Sequence, residues 1–251
     1  MRPRSRRVAR PPIWRSPIAA VTGVALVGAV IVIVVLGQSR PASTSGVVVP
    51  TTSYPPNLAA GEILGRDDAP VSLDVWSDFQ CPFCGSFART YLPRLVSDFV
   101  VGGQLRIVPH DVDFVGRGDP NESVDAAVAA SCAADQDRYW QFHDIVFWNQ
   151  NSENEGAFSE ARLQEMADKV GLDRSSWDTC RADPKRAQAV ATTTSQALST
   201  GIDSTPTLVL NGTATAGLPR TYDDLANTIR ALLPGSTAPS GSPVPTTSIA
   251  P

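Results

Sequence analysis

The sequence predicts an α/β domain with a block of helices inserted into it, and three observations carry that prediction. Val71-Ser72-Leu73-Asp74-Val75-Trp76 alternates apolar with polar residues, the period of a half-buried strand. Phe87, Tyr91, Leu92, Leu95 and Phe99 then recur at helical spacing, and Leu105-Arg106-Ile107-Val108 reads as a second strand. From about 122 to 183 strand patterns are absent, and they resume at Thr207-Leu208-Val209-Leu210.

The first fifteen residues carry six arginines, Arg2, Arg4, Arg6, Arg7, Arg10 and Arg15, and no acid. Residues 18–36 follow, nineteen uncharged positions that would extend roughly 28 Å as a helix, close to the hydrocarbon thickness of a bilayer. The expected arrangement is one transmembrane anchor with residues 1–17 in the cytoplasm and the rest outside, because arginines crowd its N-terminal flank and only Arg40 closely follows it. The alternative is a signal peptide cut near Val35-Leu36-Gly37, which would release a secreted protein; against it, the apolar run exceeds a usual signal core and no A-x-A pattern follows. Residues 37–57 and 234–251, rich in Ser, Thr, Pro and Gly, predict a flexible linker and a disordered tail around one domain at 58–233. The formal net charge is −4, so without the six N-terminal arginines the remainder carries about −10 (−4 − 6), a sign that argues against a nucleic-acid partner.

Within the domain, the first strand runs straight to Cys81-Pro82-Phe83-Cys84, so these cysteines open the helix that follows. Pro93 would kink that helix and Gly102-Gly103 would end it. Right-handed crossover makes the two strands flanking it parallel neighbours. Three helical patterns fill the insertion, at 124–134, 138–148 and 159–170, the last stopped by Gly171. Asn211-Gly212 predicts a tight hairpin between the strand at 207–210 and a short return strand at 213–216, with a closing amphipathic helix at 222–233.

A thiol must ionise before it can attack or leave, and the free N–H groups of a helix's first turn favour the thiolate. Cys81 is placed to benefit, so it is the expected exposed, attacking sulfur, with Cys84 one turn later as the resolving one. Pro82 suits the first helical position, where a missing N–H costs nothing. A zinc site is the competing reading of C-x-x-C. It needs two more ligands, yet Cys132 and Cys180 stand singly, 48 positions apart, and His110 and His143 show no ligand spacing. No metal and no cofactor are therefore expected. A bridge between Cys132 and Cys180 would close a loop of about 49 residues, worth on the order of 4 kcal/mol in the chain-entropy model, and reads as a staple of the insertion. A second redox pair feeding electrons to the first is the alternative. Thr205-Pro206 leads into the third strand either as an ordinary entry or as a cis bond presenting Thr205 backbone to a peptide that adds as a strand.

Gly65-Arg66-Asp67-Asp68-Ala69-Pro70-Val71 and Ser77-Asp78-Phe79-Gln80-Cys81-Pro82-Phe83-Cys84 resemble the opening of a DsbA-like thioredoxin-fold protein. Ala129-Ala130-Ser131-Cys132-Ala133-Ala134, Trp140-Gln141-Phe142-His143-Asp144 and Val170-Gly171-Leu172-Asp173 are similar to that family's helical insertion. Thr205-Pro206-Thr207 followed by Asn211-Gly212 is similar to its cis-proline loop and terminal hairpin. The resemblance covers about residues 60 to 233. It implies a thioredoxin-like fold with an inserted α-helical subdomain, Cys81 as nucleophile, Cys84 as resolving thiol and Pro206 in cis beside them. The implied activity is dithiol–disulfide exchange with cysteine-containing exported proteins, in the oxidising direction, with a vitamin K epoxide reductase-like membrane protein reoxidising the pair. A reductase or isomerase using the same cysteines is the alternative within the class; a chaperone or zinc-stabilised adaptor is the alternative outside it. Two departures bear on the chemistry. Many relatives carry a buried acid where this chain has Val75, with Asp74 and Asp78 near but not equivalent, and the redox-tuning dipeptide Pro82-Phe83 lacks the histidine of the strongest oxidants.

Overall fold

In a computed structural model of the chain, the described residues are 46–52, 54–215, 218–236 and 247–248. The expected basic segment at 1–17 and anchor at 18–36 lie outside them. Among the described residues no helix is long and apolar enough to cross a membrane.

Among the described residues five strands form one sheet: β1 (Val71–Ser77), β2 (Leu105–Asp111), β3 (Thr207–Leu210), β4 (Thr213–Ala214) and β5 (Thr247–Ser248), in the order β2-β1-β3-β4-β5. β1 and β2 are parallel, with Val71 opposite Leu105 and Ser77 opposite Asp111, as the strand–helix–strand pattern requires. β3 runs antiparallel to β1 and turns into β4 through Asn211 and Gly212, both at positive φ, which is the twist a two-residue hairpin needs. β5 falls within the tail expected to be disordered. It pairs antiparallel with β4, whose outer edge offers backbone groups that seek partners.

Helix α1 (Pro82–Thr90) gives way after Tyr91 to a single further turn, α2 (Leu92–Leu95), and then to a wide turn at Val96–Val100. Pro93 has no N–H for the Arg89 carbonyl, which explains the break. The insertion holds α3 (Glu122–Ala134), α4 (Tyr139–Trp148) and α5 (Glu160–Val170), close to the sequence patterns, then α6 (Arg174–Arg181) and α7 (Pro184–Ser199). Helix thus continues past the expected end of the insertion at 183. Each of the last two helices starts at an aspartate N-cap, Asp173 accepting from Ser176 N–H and Asp183 from Lys185 N–H. A capping box, Thr221 with Asp224, starts α8 (Tyr222–Leu232).

One face of β1 buries Val71, Leu73, Val75 and Ser77 in a core shared with α1 and α4. On the other face Trp76 packs on a smaller cluster of Val112, Ala197, Ile202 and Val209, to which α7 contributes Ala197. The bridge Cys132–Cys180 ties α3 to α6 with Cα atoms 5.8 Å apart.

The linker expected at 37–57 is in its later part docked on the insertion. Val48 N–H donates to Asn149 Oδ1 at 2.8 Å and Asn149 Nδ2 returns a bond to Val48 O at 2.8 Å. The Tyr54 hydroxyl, on a buried ring, donates to Asp144 at 2.7 Å, and the Thr52 hydroxyl donates to the same carboxylate. Polar composition misleads here because Val47 and Tyr54 supply apolar surface that packs on the core, and Asp144 and Asn149 supply polar partners, which together hold the segment.

Candidate active site

β1 ends at Ser77, and the turn through Asp78, Phe79 and Gln80 delivers Cys81 to the N-cap of α1, with Pro82 at the first helical position. Asp78 holds this turn. Its fully buried carboxylate accepts from Gln80 N–H (2.8 Å), Phe114 N–H and Val115 N–H (2.9 Å each) and the Ser123 hydroxyl (2.7 Å). From the other side Gln150 Nε2 donates to the Phe79 and Cys81 carbonyls at 2.6 and 3.0 Å, while Arg89 donates to Gln150 Oε1 and Phe147 O. Gly85 permits this approach, since a Cβ there would overlap the Gln150 side-chain oxygen.

No side chain caps α1, so its first N–H groups are left for the sulfur of Cys81. The two thiols are free, and their protonation is driven apart. A hydrogen bond from the Cys84 thiol, with others from the Thr205 hydroxyl and the Phe83 and Cys84 N–H groups, lowers the Cys81 pKa from 9.0 to about 6 against the opposing effect of burial. Burial, together with the adjacent Cys81 sulfur, pushes Cys84 well above an ordinary thiol; the Ser77 hydroxyl and Asp78 N–H act weakly the other way. When protonated, Cys81 donates to the Thr205 carbonyl at 3.3 Å, and the Thr205–Pro206 bond is cis. The expectation of an exposed Cys81 is corrected: the residue is 5% exposed against 1% for Cys84, while Phe83 beside it stands 69% exposed. The Thr205 carbonyl lies against the Cys81 sulfur.

The fold brings Cys81, Cys84, Thr205 and Pro206 together and keeps Cys132 and Cys180 apart from them as a bonded pair. With those two sulfurs committed to each other, they cannot supply the missing ligands of a zinc site. Neither neighbouring acid stands in for the one absent at Val75. Asp74 binds His110 Nε2 at 2.8 Å on the opposite sheet face, and the Asp78 carboxylate is taken up by its four donors. Gln150, Arg89, Gly85 and Ser77 escape sequence reasoning, because their roles depend on α1 and α4 lying side by side and on where β1 stops, which no local spacing encodes.

A family model described as Thioredoxin matches residues 59–231. A Bacillus cereus protein described as "Probable disulfide bond formation protein D" is 29% identical over 153 residues, which cover 59% of this chain and 69% of that protein. Two other Bacillus proteins of that kind are spanned over 45% and 42% of their length. Among solved structures, oxidised BdbD from Bacillus subtilis superposes with a TM-score of 0.62 at 24% identity, over 76% of this chain and all of that one. Oxidised DsbA of Mycobacterium tuberculosis gives 0.59 at 26% identity, over 70% of this chain and 95% of that one. A parallel β-α-β unit carrying the dithiol, a helical insertion and a returning hairpin entered through cis proline agree with these matches, and the chain belongs to the thioredoxin family, among its DsbA-like thiol–disulfide oxidoreductases.

Proposed function

We propose that this protein is an anchored, extracytoplasmic oxidase that forms disulfides in exported proteins through Cys81 and Cys84. The observation that supports the oxidising direction is the place of Cys81 at the uncapped start of α1, where the surrounding donors lower its pKa to about 6. A stabilised thiolate favours the reduced enzyme, and a favoured reduced enzyme makes its disulfide a stronger oxidant. A substrate thiolate attacks Cys81 of the Cys81–Cys84 disulfide, Cys84 leaves, and a second substrate thiol resolves the mixed disulfide, so the substrate gains a disulfide and the enzyme two thiols. Thr205 offers its backbone beside the Cys81 sulfur, where an extended substrate strand would lie, and Pro206 shapes that loop. Pro82 and the exposed Phe83 tune the couple and the adjoining surface.

Residues 18–36 support anchoring, with catalysis outside the membrane, and the Cys132–Cys180 staple suits an oxidising compartment. Reoxidation falls to a membrane quinone-linked partner of the vitamin K epoxide reductase type. Thiol trapping in cells, paired with Cys81→Ser, tests the reading. The expected result is mostly oxidised Cys81 and Cys84, with substrate oxidation falling to background in the variant. Mostly reduced cysteines would point to a reductase or isomerase, and unchanged function in Cys81→Ser to a chaperone or adaptor.

A further inference from the structure

Forming the mixed disulfide raises a proton problem at Cys84. When Cys81 is attacked, the Cys81–Cys84 bond breaks and Cys84 takes the electron pair as a thiolate, inside a site where it is 1% exposed and where burial strongly disfavours that charge. Bulk water does not reach this sulfur, so a protein group must deliver the proton.

The Ser77 hydroxyl lies beside the Cys84 sulfur, near enough to act on its charge as a polar neighbour. Ser77 is the register partner of Asp111 across the parallel β1–β2 pair. Both side chains line one small cavity of about 10 Å³, together with Val75, Tyr139 and His143, which is room for about one water. Asp111 as a residue keeps some exposure, but its carboxyl group is set in a dense shell of protein atoms, where it accepts from the Tyr139 hydroxyl at 2.9 and 3.1 Å. Burial holds its pKa well above 3.8, and the charges of Glu62 and Asp78 press in the same direction. The groups facing it are Tyr139 and His143 from α4, Ser77 from β1, Asp78 from the turn after β1 and Glu62 from the segment before it. His143 is already engaged by Asp144 at 3.0 Å. Asp78 has a raised pKa too, but its carboxylate is fixed by its four donors, whereas Asp111 opens on the cavity.

We propose that Asp111, on the strand beside the one carrying the dithiol, is the proton reservoir of Cys84, acting through the Ser77 hydroxyl and a water in the shared cavity. The inference rests on Cys81 and Cys84 being the working pair. As the Cys84 thiolate forms, the Asp111 carboxyl releases its proton along this path, leaving a Cys84 thiol and an Asp111 carboxylate. When Cys84 must attack, as in clearing a trapped mixed disulfide, the proton returns to the carboxylate, which exchanges it with solvent. Asp111 touches neither sulfur and is a positioning residue for the proton.

The test uses the full chain carrying a Cys81–glutathione mixed disulfide, and follows glutathione release by Cys84 between pH 5 and 9. Asp111→Asn is expected to slow release roughly 10²-fold near pH 7, the lower end of general acid–base effects, and to leave a rate that climbs with hydroxide over the whole range. Asp111→Glu should restore part of the rate, and the Cys81 titration near 6 should stay in place in both variants, which a general loss of structure would not allow. Ser77→Ala provides a second arm, with the same hydroxide-dependent profile expected, should Asp111→Asn fold poorly. A wild-type pH profile in Asp111→Asn, or loss of that profile in His143→Gln with Asp111→Asn unaffected, would overturn the proposal. Failure of the parent reading looks different: Cys81→Ser would then keep its oxidising activity, whatever happens at Asp111.

Discussion

The two cysteine pairs occupy the same domain in opposite chemical settings. Cys81 and Cys84 lie two residues apart at an uncapped helix start, where donors gather around one sulfur and apolar packing seals the other, so the pair is divided into a thiolate and a thiol. Cys132 and Cys180 lie 48 residues apart on α3 and α6, bonded to each other, with Cys132 fully buried. A short loop between cysteines does little to restrict the unfolded chain and leaves the redox state free to respond to the site; a long loop does the reverse. Reactivity and stabilisation are thereby assigned to different pairs.

Breaking the second pair should give the largest effect on stability and none on the site. Cys132→Ala with Cys180→Ala is expected to cost about 4 kcal/mol, lowering the melting temperature by roughly 8–16 °C for a domain of this size, while the Cys81 titration midpoint is unchanged. Calorimetry and thiolate absorbance measure the two halves of that statement. Equal stability in the double variant would remove the staple role, and a moved midpoint would couple the pairs.

The first pair should show itself in a smaller, pH-dependent difference between reduced and oxidised protein. Cys81 has a folded pKa of about 6 against an ordinary 9.0, so its stabilisation of the reduced form is complete above 9 and disappears as pH falls through 6. Cys84 is shifted upward, so its contribution holds below its ordinary value and declines only as pH rises beyond it. Between pH 6 and 9 the Cys81 contribution therefore governs, and the reduced form should gain on the order of 2–3 kcal/mol on the oxidised form across that window. Denaturant unfolding of both forms at pH 5.5, 7 and 8.5 checks the sign, and a flat difference would mean that the two sulfurs are not divided.

Much of the fold was legible because its signals are local. Alternation marked β1, helical spacing marked α1 and α3 to α5, and Asn211-Gly212 fixed the hairpin. α7 was missed because Val190 and Ala197 are its only buried residues, so a chain rich in Ala, Thr and Ser shows little apolar periodicity; Asp183-Pro184, a cap followed by proline, was the available sign. The cysteines and Thr205-Pro206 could be named from the sequence because order along the chain identifies them. Gln150 and Asp111 could not. One reaches the Cys81 carbonyl across 69 residues, and the other meets Ser77 only through strand register. The burial of Cys81 is equally hidden from local sequence, since one of its neighbours, Thr205, lies 124 residues away.

The most direct test of the central claim is the rate of alkylation of reduced Cys81 by iodoacetamide as a function of pH, with Cys84 identified separately by mass spectrometry. Cys81 should show a midpoint near 6, and Cys84 should not react below pH 9. A Cys81 midpoint near 9, or alkylation of both cysteines at one common pH, would contradict it.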